Sequence, residues 1–198
     1  MAANRQKTRS IFVGELVHLV SPNPKTDAGL FARWMQDSEF VRLMDTDPAS
    51  LLSVAKHKQW LKKDLLEEDR KDGFFFLVRT LQEEKSIGFI GLDGIRWVHG
   101  EAWVGVGLGE RAYWGQGYGT DAMRVLQRYA FEGLNLHRLS LTVFEYNPRA
   151  IRSYEKAGFI REGRARKFLH RDGKRFDMIF MGILREEWER REGHGEDS

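Results

Sequence analysis

The stretch that most constrains this chain runs from Trp103 to Tyr129 and reads as a strand, a glycine-rich turn and a helix. Side chains alternate along extended backbone, so Val104, Val106 and Leu108 share one face of the strand and Gly105, Gly107 and Gly109 share the other. A strand face without side chains is expected where something must approach the backbone closely, or where the strand bulges. Gly115-Gln116-Gly117-Tyr118-Gly119-Thr120 then opens a helical pattern. Glycines at a helix entrance leave N–H groups pointing outward, and the helix dipole adds partial positive charge there. Such an entrance suits an anion, above all a phosphate or pyrophosphate.

The nature of that anion is narrowed by what is missing. No Gly-Lys-Ser or Gly-Lys-Thr follows the glycines, which excludes a P-loop, and the spacing Gly115, Gly117, Gly119 is not that of the dinucleotide fingerprint. On the glycines alone, a tight turn without a ligand stands beside the anion site. The 198 residues, 41% hydrophobic and 31% charged, fit one soluble globular domain. With no cysteine, disulfide scaffolds, thiolate zinc sites and cysteine nucleophiles fall away, and no metal-ligand cluster or serine-hydrolase elbow is visible. No apolar run is long enough to span a membrane, and the basic, polar start of the chain does not read as a secretory signal, so a cytoplasmic protein is expected. The surplus of 32 basic over 29 acidic residues is too small to argue for nucleic acid by itself.

Taken in order, residues 1–10 are expected to form a flexible arm, 11–188 a single domain and 189–198 a flexible tail. Leu16 to Val20 reads as a strand. A helix capped by Asp27 carries Leu30, Phe31, Trp34 and Met35. A short helix or turn follows at Phe40 to Met44, and a longer helix from Ser53 to Glu68. Phe74 to Val78, Ile87 to Asp93 and Trp97 to Leu108 read as strands leading into the glycine turn and its helix. Leu139 to Phe144 is another strand. Asn147 to Lys156 reads as a helix, with Gly158 just past its end. Phe159-Ile160, Lys167 to Arg171 and Phe176 to Leu184 read as further strands, the last two joined by the turn Asp172-Gly173. The fold class is mixed α/β.

Two pieces at crossover distance, Trp114 to Thr120 at one helix entrance and Asn147-Pro-Arg-Ala-Ile-Arg-Ser-Tyr-Glu-Lys-Ala-Gly-Phe159 on the next helix, resemble the GCN5-related N-acetyltransferase (GNAT) family. Within it the phrase Tyr113 to Ala122 is similar to the branch of ribosomal-protein N-terminal and spermidine acetyltransferases. The resemblance runs from the first strand to Trp188. It implies a mostly antiparallel sheet, flanked by helices, with a splayed pair of parallel strands that admits the pantetheine arm of acetyl-CoA beside Val106 and Leu108. It also implies that the pyrophosphate sits on the amides of Trp114, Gly115, Gln116, Gly117, Tyr118, Gly119 and Thr120. The bare glycine face would be explained by that close approach. Asn147 resembles the asparagine that bonds the pantetheine, and Tyr154 the tyrosine near the thioester sulfur. Arg152 and Lys156 are candidates to approach the phosphates. No metal is implied.

The implied chemistry is direct transfer of an acetyl group from acetyl-CoA to a primary amine, on a peptide or protein N-terminus or a small molecule. A backbone N–H near Leu108 would polarise the carbonyl and Tyr154 would protonate the departing sulfur. Glu101 is the first candidate for the base, with Glu145, His99, His137 and a water relay as alternatives. Trp34, Phe40, Met44 and the region of Phe168 to Phe176 are expected to wall the acceptor, although Trp34 and Phe40 fit a helix core face equally well. The basic segment Arg161 to Arg175 could meet RNA or a ribosomal surface, bind an acidic acceptor, or be one solvated hairpin face. A homodimer is plausible because sheet edges need cover. A regulatory or RNA-associated acyl-CoA-binding module without catalysis and a transferase of longer acyl groups are the competing expectations.

Overall fold

The computed structural model describes residues 10–65 and 71–193. Seven strands form one sheet: β1 (Val17–Val20), β2 (Phe74–Thr80), β3 (Ser86–Arg96), β4 (Glu101–Leu108), β5 (Arg138–Phe144), β6 (Ile160–Arg171) and β7 (Lys174–Leu184). Their spatial order is β1-β2-β3-β4-β5-β7-β6. All neighbours are antiparallel except β4 and β5, which run parallel. That one parallel pair is short: Glu101, Ala102 and Trp103 match Arg138, Leu139 and Ser140, and the strands then part. The mixed, mostly antiparallel sheet with a splayed parallel pair is the architecture expected from the sequence.

Helices α1 (Ala28–Trp34), α2 (Ser38–Met44) and α3 (Val54–Trp60) precede the central strands, α4 (Tyr118–Arg128) and α5 (Pro148–Lys156) follow β4 and β5, and α6 (Arg185–Glu192) ends the described chain. One face of the sheet buries Ile90, Leu92 and Leu139 against Met123, Val125 and Leu126 of α4. The other buries Phe31, Trp34 and Phe40 of α1 and α2 against Leu77, with Phe75 and Phe89 packed alongside. Phe75 and Phe89 stack at 5.4 Å, and Phe31 meets Trp34 edge-on at 5.3 Å. No helix among the described residues is long and apolar enough to cross a membrane.

Several boundaries differ from expectation, each for a local reason. Trp97 to Gly100 is a turn rather than strand: the amides of His99 and Gly100 donate to the Arg96 carbonyl, and Gly100 takes a positive φ of 64°. The helix expected from Ser53 to Glu68 is α3, capped by Ser53, followed by a wider π-type turn over Leu61–Leu65; residues 66–70 lie outside the described chain. Asp27 precedes α1 but does not cap it, because its carboxylate turns back to the Asn23 amide at 2.6 Å. β6 is one strand where two fragments were expected. It bulges at Arg161/Gly163 and Ala165/Leu169, and Lys167 (φ 54°) donates its amide to Asp177 at 2.8 Å. The expected tail begins later than residue 189, since α6 runs to Glu192, with Glu187 accepting the Leu184 amide at 2.8 Å. Residues 1–9 and 194–198, where arm and tail were expected, lie outside the described residues.

Candidate active site

Where β4 and β5 part, the β5-facing edge of β4 loses its strand partner, and alternate peptide groups on that edge are left for something else to bond. A cleft of about 490 Å³ opens there, bordered by Val106, Gly107 and Leu108 on β4 and by the α5 cap Asn147 with Ala150 and Tyr154 of α5. It continues past Trp114 to the glycine turn and the first turn of α4.

The turn is built to present amides. Gly115 and Gly117 take φ of 76° and 94°, a region that favours glycine, and no neighbour would contact a Cβ at Gly115. Gly117 is the N-cap of α4. Among the described residues, the amides of Gly115 through Thr120 make no backbone hydrogen bond, whereas that of Asp121 closes the first helical turn on the Gly117 carbonyl at 2.9 Å. Successive outward N–H groups at the positive end of a helix dipole form an anion cradle. The cations Arg124, Arg152 and Lys156 border the same stretch of cleft. Thr120 Oγ1 and Ser153 Oγ, 2.8 Å apart, tie α4 to α5 beneath it.

The floor of this cradle is fastened from a distant part of the chain. The buried Asp121 carboxylate accepts the amides of Leu16 at 2.8 Å, Val17 at 3.0 Å and Glu15 at 3.0 and 3.1 Å. Glu15 and Leu16 are thereby brought to the cleft wall.

At the other end, Tyr154 is half-buried and its hydroxyl takes no hydrogen-bond partner among the described residues. Loss of water pushes this phenol up to about 12, against a small opposing pull from Arg149. It is therefore neutral across the physiological range. Asn147 serves first as the N-cap of α5: Oδ1 accepts the Ala150 amide at 3.1 Å, and Nδ2 leans on the Leu43 carbonyl at 3.5 Å. Phe40, Leu43 and Met44 supply an apolar wall.

Of the residues singled out from sequence, Val106, Leu108, Trp114, Gly115, Gly117, Gly119, Thr120, Asn147, Arg152, Tyr154, Lys156 and Phe40 border one cleft. The side chains of Gln116 and Tyr118 do not: Gln116 folds back on the Ala112 carbonyl, and Tyr118 packs edge-on to Tyr113 at 5.1 Å. Their amides take no backbone partner among the described residues. Trp34 is a core residue, 2% exposed, with its indole N–H on Glu110 at 2.8 Å. Glu101 is at the wrong end of β4, five residues before Val106 and about 16 Å away along extended backbone. There it pairs with Arg96 at 2.8 Å. Glu145 accepts the Asp177 amide at 2.9 Å on the β7 side and does not border the cleft either. The glycine face of β4 also needs a different explanation. A Cβ at Gly107 would come within 2.8 Å of Phe89 and 3.0 Å of Phe40, and one at Gly109 would enter the Trp34 indole. At Gly107 and Gly109 the face is bare to admit aromatic rings, whereas a Cβ at Gly105 would meet nothing within 4 Å.

The basic segment is partly consumed inside the molecule. Arg161 pairs with Glu155 at 2.8 Å and Arg164 with Asp177 at 3.3 Å, while the Arg171 guanidinium donates to the carbonyls of Asp45 and Thr46 at 3.0 and 2.8 Å. With the Arg42–Asp172 ion pair, this fastens the β6–β7 hairpin tip to the end of α2.

Arg149 was missed in the sequence reading. Its guanidinium lies 3.8 Å from the centroid of the Trp114 ring, whose N–H donates to the Leu108 carbonyl at 2.6 Å. The stack links α5 to β4 across the parting strands, a contact worth about 0.5–2 kcal/mol by general experience with such pairs. Its position two after Asn147, on the cleft face of α5, was the available signal.

These features agree with what the chain resembles in full. The acetyltransferase (GNAT) domain family matches residues 17–160, and the chain belongs to that family, whose members use acetyl-CoA. It is 28% identical over 162 residues to the uncharacterized N-acetyltransferase p20 of Bacillus licheniformis, covering 82% of this chain and 89% of that one. To the spermidine N(1)-acetyltransferase of Vibrio cholerae it is 29% identical over 113 residues, 57% of this chain and 64% of that one. The crystal structure of spermidine N-acetyltransferase from Vibrio cholerae in complex with CoA and spermine superimposes with a TM-score of 0.76 at 22% identity, covering 87% and 97% of the two chains. The protein is an acyltransferase of the N-acetyltransferase class.

Proposed function

We propose that this cleft binds acetyl-CoA with its pyrophosphate on the amides of Gly115 to Thr120 and its pantetheine along the unpaired edge of β4, and that it acetylates a primary amine by direct attack on the thioester. The observation that carries this reading is the continuity of one cleft from the amide cradle, through the parted strands, to the Tyr154 hydroxyl. The fit is chemical as well as spatial. An anion cradle, a peptide edge without a strand partner and an apolar end wall meet a molecule that is anionic at one end, amide-bearing in the middle and uncharged at the thioester.

In the reaction, the amine nitrogen bonds to the acetyl carbon, the carbon–sulfur bond breaks, the nitrogen loses a proton and the thiolate gains one. The unpaired edge of β4 supplies an amide to polarise the carbonyl. Tyr154 donates a hydrogen bond to the departing sulfur. With its phenol pushed up to about 12, well above an ordinary thiol near 8.5, hydrogen bonding is favoured over complete transfer of its proton. Among the described residues bordering the cleft, the carboxylates are Glu15 and Asp121, both beside the cradle, so the amine proton leaves through water rather than to a fixed base.

Calorimetric titration of acetyl-CoA, run beside a thiol-release assay over a panel of amines, tests this. The expected result is saturable binding that weakens when the cradle glycines are replaced, with thiol released on adding an acceptor. Absence of binding at millimolar acetyl-CoA would remove the cradle from the argument.

A further inference from the structure

Arg149 occupies an unfavourable position unless something anionic joins it. It is the second residue of α5, where the helix dipole disfavours a cation. It makes no ion pair with a carboxylate among the described residues; Glu39 lies near enough to favour its charge without pairing. Burial pushes its guanidinium down from the ordinary arginine value. Among the described residues it packs on the Trp114 ring, which satisfies no N–H donor in the guanidinium plane.

Its place in the cleft separates it from the other cations. Arg152 and Lys156 follow it by three and seven residues, about 5 and 10 Å further along α5. Arg149 instead leans across to Trp114, which packs with Phe40 and Trp34 in the aromatic cluster beneath the acceptor wall. It is also close enough to Tyr154 for the two to influence each other electrostatically. No carboxylate borders this end of the cleft among the described residues.

We propose that the acceptor is an amine carrying a carboxylate a few bonds away, and that Arg149 is the residue that selects it by pairing with that carboxylate across the apolar wall of Phe40, Leu43 and Met44. This rests on the acetyl-transfer reading above. The carboxylate belongs either to a free α-amino acid or to an acidic first residue of a polypeptide. A polyamine, cationic throughout, meets the guanidinium of Arg149, with that of Arg111 over the same Trp114 ring, and is disfavoured.

The test is thiol release at saturating acetyl-CoA with matched acceptors: phenylalanine against phenylalaninamide, a C-terminally amidated peptide beginning with Asp against one beginning with Asn, and spermidine. In the unaltered protein the carboxylate member of at least one pair should be preferred in kcat/KM by about tenfold to hundredfold, the range for a charged hydrogen-bonded partner. The pair that shows it identifies the source. In Arg149→Gln the ratio should fall toward one, and Arg149→Lys should keep part of it. Thermal unfolding confirms that both variants fold. Ratios near one for the unaltered protein, spermidine as the best acceptor, or a preference that survives in Arg149→Gln would each overturn the proposal. So would a uniform rise in acetyl-CoA KM with the ratio intact, which would assign Arg149 to the phosphates. If no amine releases thiol, the transfer reading itself has failed. The selectivity is then decided by titrating CoA-loaded protein with N-acetylphenylalanine and its amide: tighter, Arg149-dependent binding of the carboxylate upholds it, and equal binding overturns it.

Discussion

On one side of β4, Gly107 and Gly109 leave room that Phe40, Phe89 and Trp34 fill; on the other, Val106 and Leu108 border a cleft that leads to amides with no backbone partner among the described residues. The glycines of the strand and those of the following turn look alike in sequence and act for opposite reasons. In the strand the missing Cβ is space, taken up by rings that hold α1 and α2 on the sheet. In the turn it is conformational freedom, used at positive φ to face amides outward. The packed side therefore carries stability and the open side carries chemistry, and substitutions on the two sides should fail differently.

The largest effect is expected on the packed side. Gly109→Ala drives a methyl group into the buried Trp34 indole, and overpacking of this kind costs about 3 kcal/mol, roughly 6–12 °C in Tm for a domain of this size. Thermal unfolding should show the loss equally with and without acetyl-CoA. A change under about 2 °C would mean that Trp34 can move, and that the strand glycines serve something other than the rings.

On the open side, Tyr154→Phe should lower kcat by about 30- to 100-fold while Tm moves by no more than about 2 °C and acetyl-CoA KM by no more than about threefold. A drop confined to KM would place the hydroxyl in binding instead. Because burial pushes this phenol up to about 12, its ionisation should leave no inflection in the rate profile of the unaltered protein between about pH 6 and 9. The linkage has a definite sign. The unfolded phenol ionises near 10 and the folded one near 12, so stability falls as pH rises through that interval, and the Phe variant should lose less of it.

The smallest of the three effects is expected at the turn. Gly117→Ala forces a side chain onto a φ of 94°, a strain of about 1–2 kcal/mol. Acetyl-CoA KM should rise about fivefold to tenfold with kcat nearly unchanged. An unchanged KM would show that the cradle tolerates a rearranged amide and would weaken the division between the two sides.

Legibility in the sequence followed the same division. The strand–turn–helix units around β4 and β5 could be read because their signals are local: alternation, glycine punctuation, and Asn147 followed by Pro148 at a helix start. The pairing of the two motifs then brought most of the cleft with it. What could not be read depends on contacts far apart in the chain. Nothing near Glu15 or Leu16 announces that Asp121 holds them, and nothing near Gly109 announces Trp34. Glu101 was attractive because it opens the right strand, but a strand has two ends and only one of them borders the opening. Trp34 was expected in the acceptor wall because the resembled family builds that wall from its early helices, while its helical spacing fitted a core equally well, and packing decided for the core. β6 was split because its bulges interrupt the alternation on which strand recognition rests.

The grip of Asp121 on the amides of residues 15–17 has a mechanical meaning. These residues enter β1 at the sheet edge, yet they are held by a side chain in the first turn of α4. A load applied to the chain ahead of residue 15 thus reaches both β1, through the Phe12 carbonyl that accepts the Leu19 amide at 2.9 Å and the Val13–His18 bridge, and the base of the anion cradle, through Asp121. The N-terminal approach and the cradle are yoked, and whatever pulls on one is felt by the other.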